Sequence, residues 1–183
     1  MTRTIQRLGG VALALLLMGC SNTDLPEGLE PVEGFELERY LGKWYEIARL
    51  DHSFERGLEQ VTAEYQKRED GGISVLNRGY DPEKERWEQA EGKAYFMEDD
   101  NLGRLKVSFF GPFYGGYNII ALDEQYRWSM VAGPDRSYLW ILAREPELPE
   151  PVLQSLVSKA QALGFDTDAL IYPQTDSPAS GNL

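Results

Sequence analysis

The chain runs to 183 residues, with 18 basic against 30 acidic side chains and a formal net charge of −12. That balance argues against nucleic acid, whose phosphates need clustered Lys and Arg. One cysteine and one histidine leave no intramolecular disulfide, no Cys/His zinc site and no Cys/His nucleophile pair to build.

Arg3 and Arg7 precede an unbroken apolar run from Val11 to Leu17. A membrane span needs about 20 apolar residues, so this shorter run reads as the core of a signal peptide covering residues 1–19. Leu17-Met18-Gly19-Cys20 resembles the bacterial lipobox, in which the chain is cut before the cysteine and the thiol is acylated. Cys20 is therefore the expected lipidation site and the link to a membrane. Its acyl chains, at about 0.8 kcal/mol per buried methylene, supply an attachment that so acidic a chain cannot draw from anionic headgroups. Ser21 and Asn22 come next. By resemblance to Gram-negative lipoproteins, the absence of Asp after the cysteine implies the outer membrane, at its periplasmic face. Residues 20–34, rich in Pro, Glu and Gly without apolar periodicity, read as the lipidated cysteine and a flexible tether.

Residues 35–173 read as one domain, followed by a disordered tail over 174–183. The domain opens with short β runs at Trp44–Leu50 and Val61–Lys67, the second alternating Val61, Ala63 and Tyr65 against Thr62, Glu64 and Gln66. Asp70-Gly71-Gly72 is a hairpin signal, because these residues tolerate positive φ. Further runs follow at Ile73–Tyr80, Trp87–Met97, Leu105–Phe110, Tyr117–Leu122, Arg127–Ala132 and Tyr138–Ala143. Evenly spaced runs with tight turns predict an all-β fold, an eight-stranded antiparallel up-and-down β-barrel. Val152, Leu153, Leu156, Val157, Ala160 and Leu163 then mark one face of a C-terminal helix packed outside it. Pro149, Glu150 and Pro151 suit its start and Gly164 its end.

Gly42-Lys43-Trp44 at the head of the first strand and Arg144 after the last resemble the first and third motifs of the lipocalins. In that family, glycine lets the chain turn into the barrel, tryptophan plugs the closed end, and arginine lies across the indole. Leu122-Asp123-Glu124-Gln125-Tyr126 matches the second motif only loosely. Phe54-Glu55-Arg56-Gly57, Asn77-Arg78-Gly79-Tyr80, Glu91-Gly92-Lys93-Ala94, the run from Phe109 to Tyr117, and Gly133-Pro134-Asp135-Arg136 are similar to the bacterial outer-membrane branch, akin to apolipoprotein D. The resemblance spans about Phe35 to Tyr172. It implies a lipocalin calyx holding a small lipophilic ligand, a fatty acid or lysophospholipid, with no cofactor.

Alternation places Val61, Ala63, Tyr65, Val75 and Asn77 inward, then Leu105, Val107 and Phe109, Tyr117, Ile119 and Ala121, and Tyr138, Trp140 and Leu142. Ala90, Gly92 and Ala94 leave volume on the fourth strand. Tyr65, Asn77, Phe109, Tyr117, Tyr138 and Trp140 are the expected ligand contacts, an apolar wall with sparse polar points that suits an amphiphile. By resemblance, Tyr65, Asn77 and Trp140 line the pocket.

The aromatic stretch Phe109, Phe110, Phe113, Tyr114 and Tyr117 sits at a turn broken by Gly111, Pro112 and Gly115-Gly116. It can shape the barrel mouth, dip into lipid, form a homodimer contact, or close a packed hairpin corner. Asp51-His52-Ser53 does not read as a triad, because adjacent residues do not converge on one reacting atom. A ligand carrier in envelope maintenance is the leading reading. The alternatives are a structural or interaction lipoprotein with a filled barrel, and a lipocalin-fold enzyme.

Overall fold

The computed structural model describes residues 22–175. The expected signal peptide, Cys20 and the end of the expected tail lie outside the described residues.

A four-residue helix, α1 (Leu37–Tyr40), leads into β1 (Gly42–Arg49). There follow β2 (Glu59–Lys67), β3 (Ile73–Asp81), β4 (Arg86–Phe96), β5 (Arg104–Phe110), β6 (Phe113–Leu122), β7 (Trp128–Ala132) and β8 (Leu139–Ala143). Each strand pairs antiparallel with the next, and β8 returns to β1, so the eight-stranded barrel is closed. The β1, β3, β5 and β7 strands run towards one end, the mouth, bounded by residues 50–58, 82–85, 111–112 and 133–138. The other end is the base, where the chain enters at Gly42.

Helix α2 (Glu150–Ala162) lies outside the barrel, with Leu156 and Ala160 buried against Ile47, Ala48, Met130 and Ile141. Burying a leucine of this kind contributes about 1.5–3 kcal/mol. Pro149 stands at its N-cap and Glu150 in its first turn. Gly164 ends it with φ of +85°, and Phe165 N–H then reaches back to the Ala160 carbonyl at 3.1 Å.

The register slips in four of the ladders, on β1, β2, β5 and β6, and two of these slips decide which side chains face inward. In β6 the register slips between Ile119 and Ala121, so Ile120 and Ala121 both pack beneath α2. Ala121, expected inside, therefore lies outside; one extra residue reverses the parity of everything after it. In β1 the slip falls between Glu46 and Ala48. Ile47 and Ala48 join the helix-side core, which leaves Glu46 and Arg49 on the opposite side, within 2.6 Å of each other.

Residues 22–34, expected to be a flexible tether, form a strap bonded along the barrel. Asn22 pairs with Gly115 near the mouth, and the Gly116 N–H donates to its carbonyl at 2.9 Å. Further down, Val32 bonds Ile119 and Gly103 at 2.8 and 2.9 Å, and Phe35 N–H meets the Asn101 carbonyl at the base. Leu29 and Phe35 are buried. Isolated apolar anchors in a Pro-, Gly- and Glu-rich stretch carry no period, which is why composition alone suggested a loose chain.

Candidate ligand-binding calyx

The base is built first by sequence. Gly42, at φ +90°, turns the chain so that Trp44 enters the barrel with no exposed surface. The indole N–H donates to the Tyr40 carbonyl at 2.8 Å. The Arg144 guanidinium carbon stands 3.9 Å from the Trp44 ring centroid. Its nitrogens donate to the Lys43 and Arg39 carbonyls at 2.8 and 2.7 Å. Gly42, Trp44 and Arg144 thus form a single plug, which binds together the ends of the chain's first and last strands.

Above the plug, the Tyr117 hydroxyl lies 2.8 Å from the hydroxyls of both Tyr40 and Tyr65, and Tyr40 reaches Ser129 at 3.2 Å. Burial pushes Tyr40 up to about 12 and raises Tyr65 and Tyr117 well above the usual phenol range. All three stay neutral. Their hydroxyls satisfy one another, so Tyr65 and Tyr117, expected to offer polar points to a ligand, instead form an internal floor. Beside them is a void of about 20 Å³ whose walls include Phe35, Ile73, Val75 and Leu105. That is room for one water, not for an acyl chain.

The picture changes towards the mouth. Ala63, Asn77 and Ala90 are register partners across β2, β3 and β4. Ala63 and Asn77 are half-buried and Ala90 is exposed, whereas Tyr65, Val75 and Ala94, nearer the base, are buried. Val107, Phe109 and Trp140 also keep part of their surface accessible. These accessible positions describe a cup above the tyrosine floor, roofed on its β2–β3 side, where Val61 and Gly79 are buried and Gly79 packs against Leu58 of the β1–β2 loop. In its wall the Asn77 Oδ1 is buried without a hydrogen-bond partner. Gly92 does not contribute the free volume expected of it: a Cβ there would meet the Ser108 carbonyl at 2.8 Å and the Phe109 ring at 2.9 Å. Phe109 has taken that space. Tyr138 lies in the turn before β8, stacked 6.1 Å from Trp140 and 5.9 Å from His52.

A buried charged cluster completes the wall. Arg49 donates to Glu46 Oε1 at 2.6 Å and to the Glu55 carbonyl at 2.8 Å. Trp140 Nε1 donates to Glu55 Oε2 at 3.1 Å. His52 Nε2 lies 3.2 Å from the same oxygen without hydrogen-bond alignment. Its ring stacks 4.0 Å from Phe54 and lies tilted 5.0 Å from Trp140. Glu46, Arg49, His52 and Glu55 are all buried. Burial, reinforced by the neighbouring Glu55, pushes Glu46 up to about 8, and burial also raises Glu55. Burial, with Arg49 nearby, lowers His52 to about 4. The buried arginine thus faces two carboxyl groups whose hold on a proton burial has strengthened, beside an imidazole that burial keeps uncharged at neutral pH.

Sequence reasoning missed this cluster. Its one legible signal was Glu46, two residues from Trp44 and so on the same inward face. The neighbours Asp51 and Ser53 do not join His52: Asp51 is paired to Arg56 at 2.7 Å on the surface, and Ser53 is exposed. Among the described residues, no group of three or more His, Cys, Asp or Glu is placed to hold a metal ion.

Comparison with known proteins agrees with this architecture. A family model for a lipocalin-like domain matches residues 35–175. The chain is 52% identical to the outer membrane lipoprotein Blc of Citrobacter freundii, over 93% of this chain and 96% of that one. It is 56% identical to the protein of the same name from Vibrio cholerae serotype O1, over 90% and 95% of the two chains. Mouse apolipoprotein D is 29% identical over 75% and 76% of the two chains. Among solved structures, insecticyanin from the tobacco hornworm Manduca sexta superposes with a TM-score of 0.67 at 20% identity, covering 86% of this chain and 89% of that one.

Proposed function

Because this chain belongs to the lipocalin family, we propose that it is an outer-membrane lipoprotein, acylated at Cys20, whose calyx takes up a fatty acid or lysophospholipid. The observation that carries the reading is the accessible band of inward positions at Ala63, Asn77 and Ala90, above buried Tyr65, Val75 and Ala94. An acyl tail entering that cup loses about 0.8 kcal/mol of unfavourable hydration per methylene. Phe109, Val107 and Trp140 offer it apolar surface. The polar end of the ligand stays higher, near Asn77, Tyr138 and the Arg49 cluster. Relatives named as outer membrane lipoproteins at over half identity support the location. The role is binding and carriage in envelope maintenance.

A filled barrel is the second reading, favoured by the 20 Å³ void beside the tyrosine floor. The deciding experiment is mass spectrometry of lipid extracted from purified protein, with a lysophospholipid titration followed by tryptophan fluorescence. Co-purifying lipid and a saturable signal weakened by Trp140→Ala support the carrier. A folded protein with neither would establish the filled barrel.

A further inference from the structure

The strap leaves the barrel wall along part of its course. Asn118 and Ile119 are neighbours in β6, yet they hold Asp24 and Val32. The Asn118 amide donates to the Asp24 carbonyl at 3.4 Å, and the Val32 N–H to the Ile119 carbonyl at 2.8 Å. The chain between them, residues 25–31, therefore departs from the flank of the barrel and returns to it as a compact loop. Its turn is closed by the Leu29 N–H on the Pro26 carbonyl at 3.0 Å, with Gly28 at φ +79°. Leu29 is buried in the core that Leu156 and Ala160 of α2 also join. Arg136 then bolts the loop to the helix end, donating to the Glu27 carbonyl at 2.7 Å and to the Leu163 carbonyl at 2.8 Å. The loop is fixed in place while standing off the sheet.

The space it spans is a cleft of about 720 Å³ between the strap, the start of β5 and α2. That size falls within the range of small-molecule sites. Buried Leu29 and Ile120 line it, together with half-buried Leu25, Leu102 and Leu163. Charge stands on two of its walls. Glu30 and Glu33 belong to the strap and Lys159 to α2, and all three are exposed. Among the described residues, none of these three side chains has an ion-pair or hydrogen-bond partner. Glu98 and Arg104, which also line the cleft, are already paired with each other.

We propose that this flank cleft is a second binding site, separate from the calyx, for a zwitterionic amphiphile. Its apolar body lies on Leu29, Ile120 and Leu163, its anionic group meets Lys159, and its ammonium group meets Glu30 and Glu33. A molecule with one charge leaves the other wall unmatched: a sulfate alone faces two carboxylates, and an ammonium alone faces the lysine. These contacts lie at the surface, so added salt weakens them.

The test uses the whole chain from Cys20 onward, which contains the strap, the barrel and α2, in detergent-free solution. Octylphosphocholine is titrated below its micelle concentration and followed by methyl NMR of Leu29, Ile120 and Leu163. Octyltrimethylammonium and octyl sulfate serve as the singly charged probes. The three methyl signals are expected to shift saturably with octylphosphocholine, in the parent and in Ala90→Phe alike, because that variant fills the cup and leaves the flank untouched. Each singly charged probe is expected to bind at least about threefold more weakly, as is octylphosphocholine to Lys159→Gln or to Glu30→Gln combined with Glu33→Gln. Absence of any shift overturns the proposal, as does equal affinity for the three probes or indifference to these substitutions. So do shifts that Ale90→Phe abolishes, since the ligand would then sit in the calyx alone.

Discussion

Trp140 holds Glu55 through an indole hydrogen bond of 3.1 Å, and so ties the β1–β2 loop at the mouth to β8. Both of the loop's buried side chains meet that same indole, His52 with its ring tilted 5.0 Å away and Glu55 through the bond. Trp140→Phe keeps the aromatic surface and removes the donor. A buried carboxyl group left short of a partner costs about 1–3 kcal/mol. Urea denaturation is expected to show a loss of that order, and amide exchange in residues 50–58 to quicken more than elsewhere. Unchanged exchange in the loop would mean the bond does not hold it.

The Glu46 carboxyl gives a pH dependence of defined sign. Its pKa is raised in the folded state, so above its ordinary value of 4.5 the unfolded chain gives up a proton that the native state retains. Unfolding then becomes easier as pH rises, until the native group also ionises near 8. His52 acts in the opposite sense: lowered from 6.5 to about 4, it costs stability as pH falls through that interval. The two oppose each other between about 4.5 and 6.5; above that the carboxyl slope prevails, with Glu55, also raised, acting in the same sense as Glu46. Glu46→Gln copies the neutral acid. Its stability relative to the parent is expected to improve from pH 6.5 to 8, by at most about 1.4 kcal/mol per pH unit. Parallel curves across that interval would show that Glu46 is already ionised.

Arg144 is expected to be poorly replaced by lysine. Lys retains a cation over Trp44 but cannot serve the Lys43 and Arg39 carbonyls together in the same plane. Arg144→Lys should cost roughly 1–3 kcal/mol in urea denaturation, and Arg144→Ala more, as the cation–π contact is lost as well. Ligand affinity at the far end should change little in either variant.

Two small residues on β4 should separate binding from folding. Ala90 is exposed on the inward row, so Ala90→Phe fills the cup and is expected to weaken lysophospholipid binding at least tenfold while the melting temperature holds. Gly92 is pressed by the Ser108 carbonyl and the Phe109 ring. Gly92→Ala forces those groups apart and should destabilise the fold by about 1–3 kcal/mol. Calorimetry and ligand titration on the same two proteins read both effects.

The eight strands were legible because period-two alternation and turn residues mark each one locally, as at Val61–Tyr65 and Asp70-Gly71-Gly72. The base was legible through Gly42, Trp44 and Arg144, residue types with few other reasons to stand at both ends of a barrel. What stayed hidden was non-local. Ile120 looks like any strand residue, yet its bulge turns Ala121 outward. The free space at Gly92 depends on where Phe109 on another strand falls. Glu46 and Arg49 read as ordinary polar strand positions until the bulge between them brings both to one side. The strap binds through backbone groups, which every sequence possesses.

The closure of the barrel also sets an order in time. β1 finds one neighbour in β2 but the other only in β8, and Arg49 exchanges backbone bonds of 3.0 and 2.8 Å with Ile171. A chain growing from its N-terminus therefore presents the open edge of its first strand until nearly its last residues are made. Such end-to-end pairing slows folding and leaves an edge on which other chains can polymerise. With the export proposed above, an interval in which the barrel cannot shut is an asset: the ribosome releases a chain that is still soft enough to be moved.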